Sequence, residues 1–417
     1  MKKIILLSVF FLWALNLKAE VLERPPQFVL ISFDGSYADQ FWKESFHLAD
    51  QTTARFSYFV SGVYFIQHKD HNAYQGPGHR LGSSDIGFGD DNLPDIQTRT
   101  ENVWQALQRN FDIGSHANGH FDGGKWTEAE WFSEFTQFHR LVEKVFSFYP
   151  SINESFSQNW ESELHQKLKG FRAPLLAENA ATERVLKKFN YLYDSSKVLL
   201  HQWPYQMSDG IWNLGLSQID LSGSGRHTIA MDYNILYGQC AGHFNPQKGG
   251  ECAQLNDSLL AQFEEQTYQS YIAAFLKSYY ANRAPLSIGH HFSLFNRGIY
   301  WHALQRFVYA VCTQPEVKCI THSDMIGWLE NQRKLQGEQY LADLNSGRFS
   351  SEQIPMSVLQ SLGKPPQQVA QAHIMTQRSI PPEVTDLIEQ QMLKGDFVEA
   401  HLYEKDDMDL MAVRYSP

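Results

Sequence analysis

Two histidines four residues apart, His116 and His120 in Gly114-Ser115-His116-Ala117-Asn118-Gly119-His120, are the first candidates for chemistry. If the segment is helical, that spacing sets both imidazoles on one face, close enough to share a metal ion. Gly114 and Gly119 and the lack of charge also suit an uncharged loop after a strand, where functional groups are commonly carried. Asp34 closes the apolar run Phe28-Val29-Leu30-Ile31-Ser32-Phe33. A carboxylate there acts on a substrate or caps the following turn. Arg172, in Gly170-Phe171-Arg172-Ala173-Pro174, is a site guanidinium or an ion-pair partner. His290 and His291 end Leu286-Ser287-Ile288-Gly289, as acid–base groups or as core histidines. Imidazoles, a carboxylate and a guanidinium are the groups of metal binding and proton transfer.

The elements that must carry these residues alternate. Residues 28–33, 56–66, 112–115, 170–172, 191–193 and 285–290 read as strands, rich in branched and aromatic side chains. Helices are expected between them: one opening at Thr127 with a capping box to Glu130, and others at 178–188, 261–280 and 300–311. Strands alternating with helices from Phe28 to about Glu330 give an α/β fold, and periodicity leaves a barrel and a doubly wound sheet both open. In either, chemistry sits at the C-terminal ends of the strands, where all these candidates fall.

The chain has 417 residues with 35 basic and 46 acidic side chains, a formal charge of −11. That acidity argues against a nucleic-acid partner, which needs a basic surface. Lys2 and Lys3, the apolar run Ile4 to Leu15 and the small Ala19 read as a secretory signal peptide over residues 1–19. No later stretch is apolar for long enough to span a bilayer. The expected location is the periplasm or outside the cell. Four cysteines fit an oxidising compartment, and local pairs Cys240–Cys252 and Cys312–Cys319 are favoured among three connectivities and over a zinc cluster. Residues 334–417, rich in proline and glutamine, read as a C-terminal extension that wraps the main domain or is loosely ordered.

Taken in order, these motifs resemble the polysaccharide deacetylases of carbohydrate esterase family four, over roughly residues 27–330. The family's TFDDG is matched by Ser32-Phe33-Asp34-Gly35, and its H-(S/T)-x-x-H in spacing by His116 and His120. Its R-x-P-Y is met by Arg172-Ala173-Pro174-Leu175, and its L-x-H is approached by Ile288-Gly289-His290. Ser57-Tyr58-Phe59-Val60-Ser61-Gly62 is similar to its second strand, and Asp194-Ser195 to its fourth motif.

The resemblance implies a distorted (β/α) barrel over residues 20–333, with an insertion at about 203–256. It implies a metal-dependent hydrolase that removes acetyl groups from an N-acetylglucosamine-containing polysaccharide, such as peptidoglycan. His116 and His120 would bind a divalent metal, most often zinc. Asp34 would be the general base or, by the alternative alignment, a metal ligand. Arg172 would orient the base, His290 would protonate the leaving amine, and Asp194 would tune His290. The backbone N–H of Leu175 would help to form an oxyanion hole. The family's second aspartate, its usual metal ligand, is Gly35 here. Asp39, Asp122 and Asp232 are the carboxylates that could replace it, and His291 could exchange roles with His290. Without a substitute, the chain would be a carbohydrate-binding pseudoenzyme. A glycoside hydrolase on the same barrel is disfavoured, because its paired carboxylates are missing from the strand ends. Trp126, Trp203, Tyr205 and Trp212 are candidates to stack on sugar rings.

Overall fold

The computed structural model describes residues 22–152, 154–245 and 250–349; residues 1–19, expected to be a signal peptide, and most of the expected extension lie outside the described residues. The described strands are β1 (Gln27–Gly35), β2 (Ser57–Val60), β3 (Asp112–Ser115), β4 (Gly170–Phe171), β5 (Tyr193–Asp194), β6 (Val198–Leu199) and β7 (Tyr205–Gln206). After them come β8 (Trp212–Asn213), β9 (Leu216–Leu221), β10 (Arg226–Ile229), β11 (Phe244–Asn245), β12 (Glu251–Cys252), β13 (Leu286–His291) and β14 (Val317–Ile320).

β1 is apolar on both faces, which suits a parallel strand covered on both sides. β13 pairs along one edge, from Val29↔Leu286 to Asp34↔His291. The other edge is divided between β14, along Gln27–Leu30, and β2, along Ser32–Gly35. The sheet continues in parallel through β3, β4, β5 and β8, and β7 adds antiparallel at the end. β6, β9 and β10 form a second sheet that leads back to β13, where Ser287 N donates to Ser217 Oγ at 2.9 Å. Gly289 N donates to the Ala230 carbonyl at 2.8 Å. The curled sheet therefore closes through single bonds rather than a continuous ladder, and the fold is a distorted (β/α) barrel.

Alternation along β1 decides what faces inward. Val29, Ile31 and Phe33 join the outer core with Trp42 and Trp131, whereas Phe28 and Leu30 meet Phe59 and Tyr193 inside the barrel. Asp34 follows the inward series at the strand's C-terminal end. Two glycines make room for the inner aromatics. A Cβ on Gly114 would lie 2.6 Å from the Phe59 ring, and one on Gly170 would lie 2.0 Å from that of Tyr193. Below these rings the barrel has a floor. Asp112, at the start of β3, accepts bonds from Tyr193 Oη (2.7 Å), Ser323 N (3.0 Å) and Ser323 Oγ (2.9 Å). His322 stacks on Tyr193 with ring centroids 5.3 Å apart.

The capping box at Thr127 is present. The helix expected at 261–280 starts earlier, at Asp257, because the Asn256 side chain accepts from Leu259 N at 2.9 Å. The strand expected over 56–66 ends at Val60. Gly62 N donates to the Ala117 carbonyl at 2.9 Å, and the chain bends into a 3₁₀ turn over the His116–His120 loop. Both local disulfides are formed, Cys240–Cys252 and Cys312–Cys319, leaving no thiol for a zinc cluster. Helices His322–Gln336 and Glu338–Leu344 continue past residue 333, and Tyr340 and Leu344 pack with Phe28 and Leu30. No helix among the described residues is long and apolar enough to cross a membrane.

Candidate active site

Asp34 Oδ1 accepts a hydrogen bond from Arg172 Nη1 at 2.7 Å, and both side chains are buried. Arg172 is further fixed by Nη2 donating to Ser195 Oγ (2.7 Å) and Nε donating to the Ser195 carbonyl (3.2 Å). Its guanidinium lies 4.5 Å from the centroid of the Phe59 ring. A buried carboxylate needs such a charged partner, and Oδ2 stays available for another donor.

His116 Nδ1 donates to the Arg172 carbonyl at 2.8 Å, so Nε2 carries the lone pair. The His116 and His120 rings lie 5.3 Å apart. Burial pushes both imidazoles below the usual histidine range, and His116 and His291 press His120 down further. Both are therefore neutral near pH 7, the form that binds metals. The segment between them is a loop with left-handed φ at Ala117 (50°) and His120 (62°), not the helix that would place the pair on one face. Glu134 clamps it: Oε1 accepts from Asn118 N at 2.9 Å and from Tyr74 Oη at 3.0 Å. Burial pushes Glu134 up to about 7.

The two late histidines separate. In the β1–β13 register, His291 pairs with inward Asp34 and His290 with outward Phe33. His290 is 1% exposed and hydrogen-bonds through Nε2 to Tyr271 Oη, 2.9 Å away on the surrounding helix Asp257–Tyr280. Burial drives its pKa down to about 4. The His291 side chain is 19% exposed and donates from Nδ1 to Asp232 Oδ1 at 2.7 Å. Burial opposes its protonation most strongly, yet the charge and hydrogen bond of Asp232, together with the Asp34 charge, outweigh it and raise its pKa. Reciprocally, burial pushes Asp232 up while His291 pulls it down further, for a net lowering. His290, expected as the general acid, thus lies on the outer face against Tyr271, whereas His291 shares the inner face with Asp34.

Asp194 does not reach His290 either. Its Oδ1 accepts from Ser196 N (2.9 Å) and Ser196 Oγ, and that hydroxyl accepts from Ala173 N at 2.8 Å. Asp194 thus braces the Arg172-Ala173-Pro174-Leu175 turn, and burial lifts its pKa to about 7. The carboxylate beside both late histidines is Asp232, 3.7 Å from His290 Nδ1. Asp39 pairs with Lys43 and Asn102, and Asp122 caps Gly124 N, so neither replaces the missing aspartate. Among the described residues, no third histidine, cysteine or carboxylate ligand atom groups tightly with those of His116 and His120. At Gly35 (φ 74°) a Cβ would face the Tyr64 ring at 3.7 Å. These residues fit a divalent cation as a two-imidazole site, one protein ligand short of the three usual in catalytic zinc sites. Trp203 and Trp212 are buried in the core and donate to the Asn282 carbonyl and Glu330, so they are not sugar platforms. Tyr205 is exposed, and half-buried Trp126 packs on Trp131.

The sequence pointed to the strand ends but missed Glu134, Tyr74 and Ser196, which hold the loops; buried polar side chains on helices and turns leave no spacing signature. No family profile and no curated protein matches this chain. Among solved structures, it is similar to a Mycobacterium smegmatis protein assigned as a polysaccharide deacetylase, at 16% identity and TM-score 0.46, over 75% of this chain and 96% of that one. It is also similar to the Xyl-CE4 domain of a multidomain xylanase from the hindgut metagenome of Trinervitermes trinervoides, at 10% identity and TM-score 0.37, over 73% and 92%. A variant of the peptidoglycan deacetylase PdaC from Bacillus subtilis aligns at 9% identity and TM-score 0.37, over 76% and 98%.

Proposed function

We propose that this chain is a secreted or periplasmic hydrolase that removes acetyl groups from an N-acetylglucosamine-containing polysaccharide, with peptidoglycan the first substrate to test. The observation that carries this reading is the buried Asp34–Arg172 pair on the inner face of the strand ends, in register with His291. His116 and His120 are the residues that would hold a divalent cation, zinc first. When bound, it would polarise the acyl oxygen and acidify a water. Asp34, held at Oδ1 by Arg172, takes the water proton on Oδ2 as the oxygen adds to the amide carbon. The Leu175 backbone N–H is the candidate donor to the developing oxyanion. His291, kept cationic by Asp232, passes its Nε2 proton to the nitrogen as the C–N bond breaks, releasing acetate and the amine. Asp194 supports the Arg172 turn.

Acetate release from chitooligosaccharides and peptidoglycan tests this. Asp34→Asn is expected to lower the rate by about 10²–10⁴-fold, and His116→Ala with His120→Ala to abolish release and remove the one equivalent of metal that these two imidazoles would hold. Wild-type rates in Asp34→Asn would overturn it. Gly35 favours one second reading, a carbohydrate-binding pseudoenzyme. Its signature is glycan retained in the presence of chelator, with no acetate released by the unaltered protein.

A further inference from the structure

We propose that His139, Glu143 and His165 form a second metal site, for a late first-row divalent cation such as zinc, which ties two helices together at the floor end of the barrel. His139 and Glu143 are one turn apart on the helix Glu128–Glu143, and His165 comes from the helix Ser157–Lys167. Both imidazoles aim Nδ1 at one oxygen: His139 Nδ1 lies 2.7 Å and His165 Nδ1 3.4 Å from Glu143 Oε1. The three ligand atoms lie within 4.8 Å of one another. Tetrahedral ligands about 2.0–2.1 Å from zinc are roughly 3.3 Å apart, so small side-chain shifts would complete the geometry.

The charge balance points the same way. The Glu143 side chain is 7% exposed, and among the described residues its ion-pair partners are these two imidazoles. Lys144 is directed instead to Glu161, at 4.0 Å. Two imidazoles converging on one buried carboxylate oxygen supply N and O donors to a common point, where a divalent cation would balance the carboxylate charge. The His139 ring is already oriented. It stacks on Phe189 with an interplanar angle of 9°, and Nε2 lies 3.4 Å from Tyr191 Oη. A proton on Nε2 leaves Nδ1 free to ligate, the arrangement that second-sphere partners impose on metal-binding histidines. Phe189 and Tyr191 lead into the start of β5, so this site sits at the end of the strands opposite His116 and His120. His165 is 68% exposed, which leaves a route for the ion.

The test uses the untagged full chain, stripped with chelator and titrated with Zn²⁺ by calorimetry. The His116→Ala/His120→Ala variant, checked for native circular dichroism, is expected to bind one equivalent of zinc. Its Tm should rise by roughly 4 °C with zinc at a hundred times the dissociation constant. Adding the exposed substitution His165→Ala should weaken that binding at least 100-fold and abolish the Tm rise, and Co²⁺ should give tetrahedral d–d bands only while His165 is present. His165→Ala in the otherwise unaltered chain should lower the zinc stoichiometry by one, which covers the case of a mouth variant that does not fold. Unchanged affinity and stoichiometry on removing His165, or no zinc uptake by the mouth variant, would show a hydrogen-bonded cluster and overturn the proposal. Acetate release enters neither measurement, so this site and the proposed reaction fail independently.

Discussion

His290 and His291 are adjacent in sequence and opposite in environment, because successive side chains on a strand point to opposite faces. One is sealed against Tyr271; the other shares the inner face with Asp34. If the proposed reaction holds, His291→Asn should cut acetate release by about 10²–10⁴-fold while glycan binding persists. His290→Asn should instead lower thermal stability without moving the pH profile. The proton donor must be charged, so activity should fall as pH rises through the raised pKa of His291. Removing the anion that favours imidazolium shifts this fall to lower pH, and the kcat/KM profile of Asp232→Asn reads that shift. At Gly35, Asp should supply a third ligand and tighten zinc binding, at a backbone cost of about 1–3 kcal/mol for the left-handed φ. Zinc affinity unchanged in Gly35→Asp would mean that the position does not face the two imidazoles.

The turns between elements hold the site, and they were the least legible part of the sequence. Strand positions could be read because runs such as Phe28–Phe33 bury both faces, and the Thr127 box announced its helix. The interaction of Asp194 with Ser196 and Ala173 joins residues 23 apart through a hydroxyl, and no periodicity reports it. Asp232 emerged from the sequence only as one of three spare carboxylates; its link to His291 spans 59 residues and depends on how β9 and β10 return to β13. Asp194 also gives a test at this scale. Its folded pKa, about 7, lies above the reference of 3.8. The stability it contributes is therefore full below about pH 4 and lost as pH rises to about 7. Thermal melts should show wild type losing stability relative to Asp194→Asn across that window, and a constant difference between the two would exclude a buried, proton-holding Asp194.

At the level of the whole molecule, alternating strands and helices identified an α/β fold, while closure into a barrel could not be read because β9 reaches β13 through isolated bonds between short segments. Two disulfides reinforce the fold. Cys240–Cys252 closes a loop with a sequence separation of 12 residues, and replacing both cysteines by serine should cost about 3 kcal/mol, measured by denaturant unfolding. A loss near zero would mean that the segment is held by Asn296, which donates to Cys252 Sγ at 3.4 Å, and its neighbours. Asp112, Ser323 and the His322–Tyr193 stack plug the cylinder at its base. Among the described residues the barrel is thus a cup and not a tunnel: if the proposed reaction holds, a long polymer would lie across the brim instead of threading through, and the incoming water and both products would share that doorway.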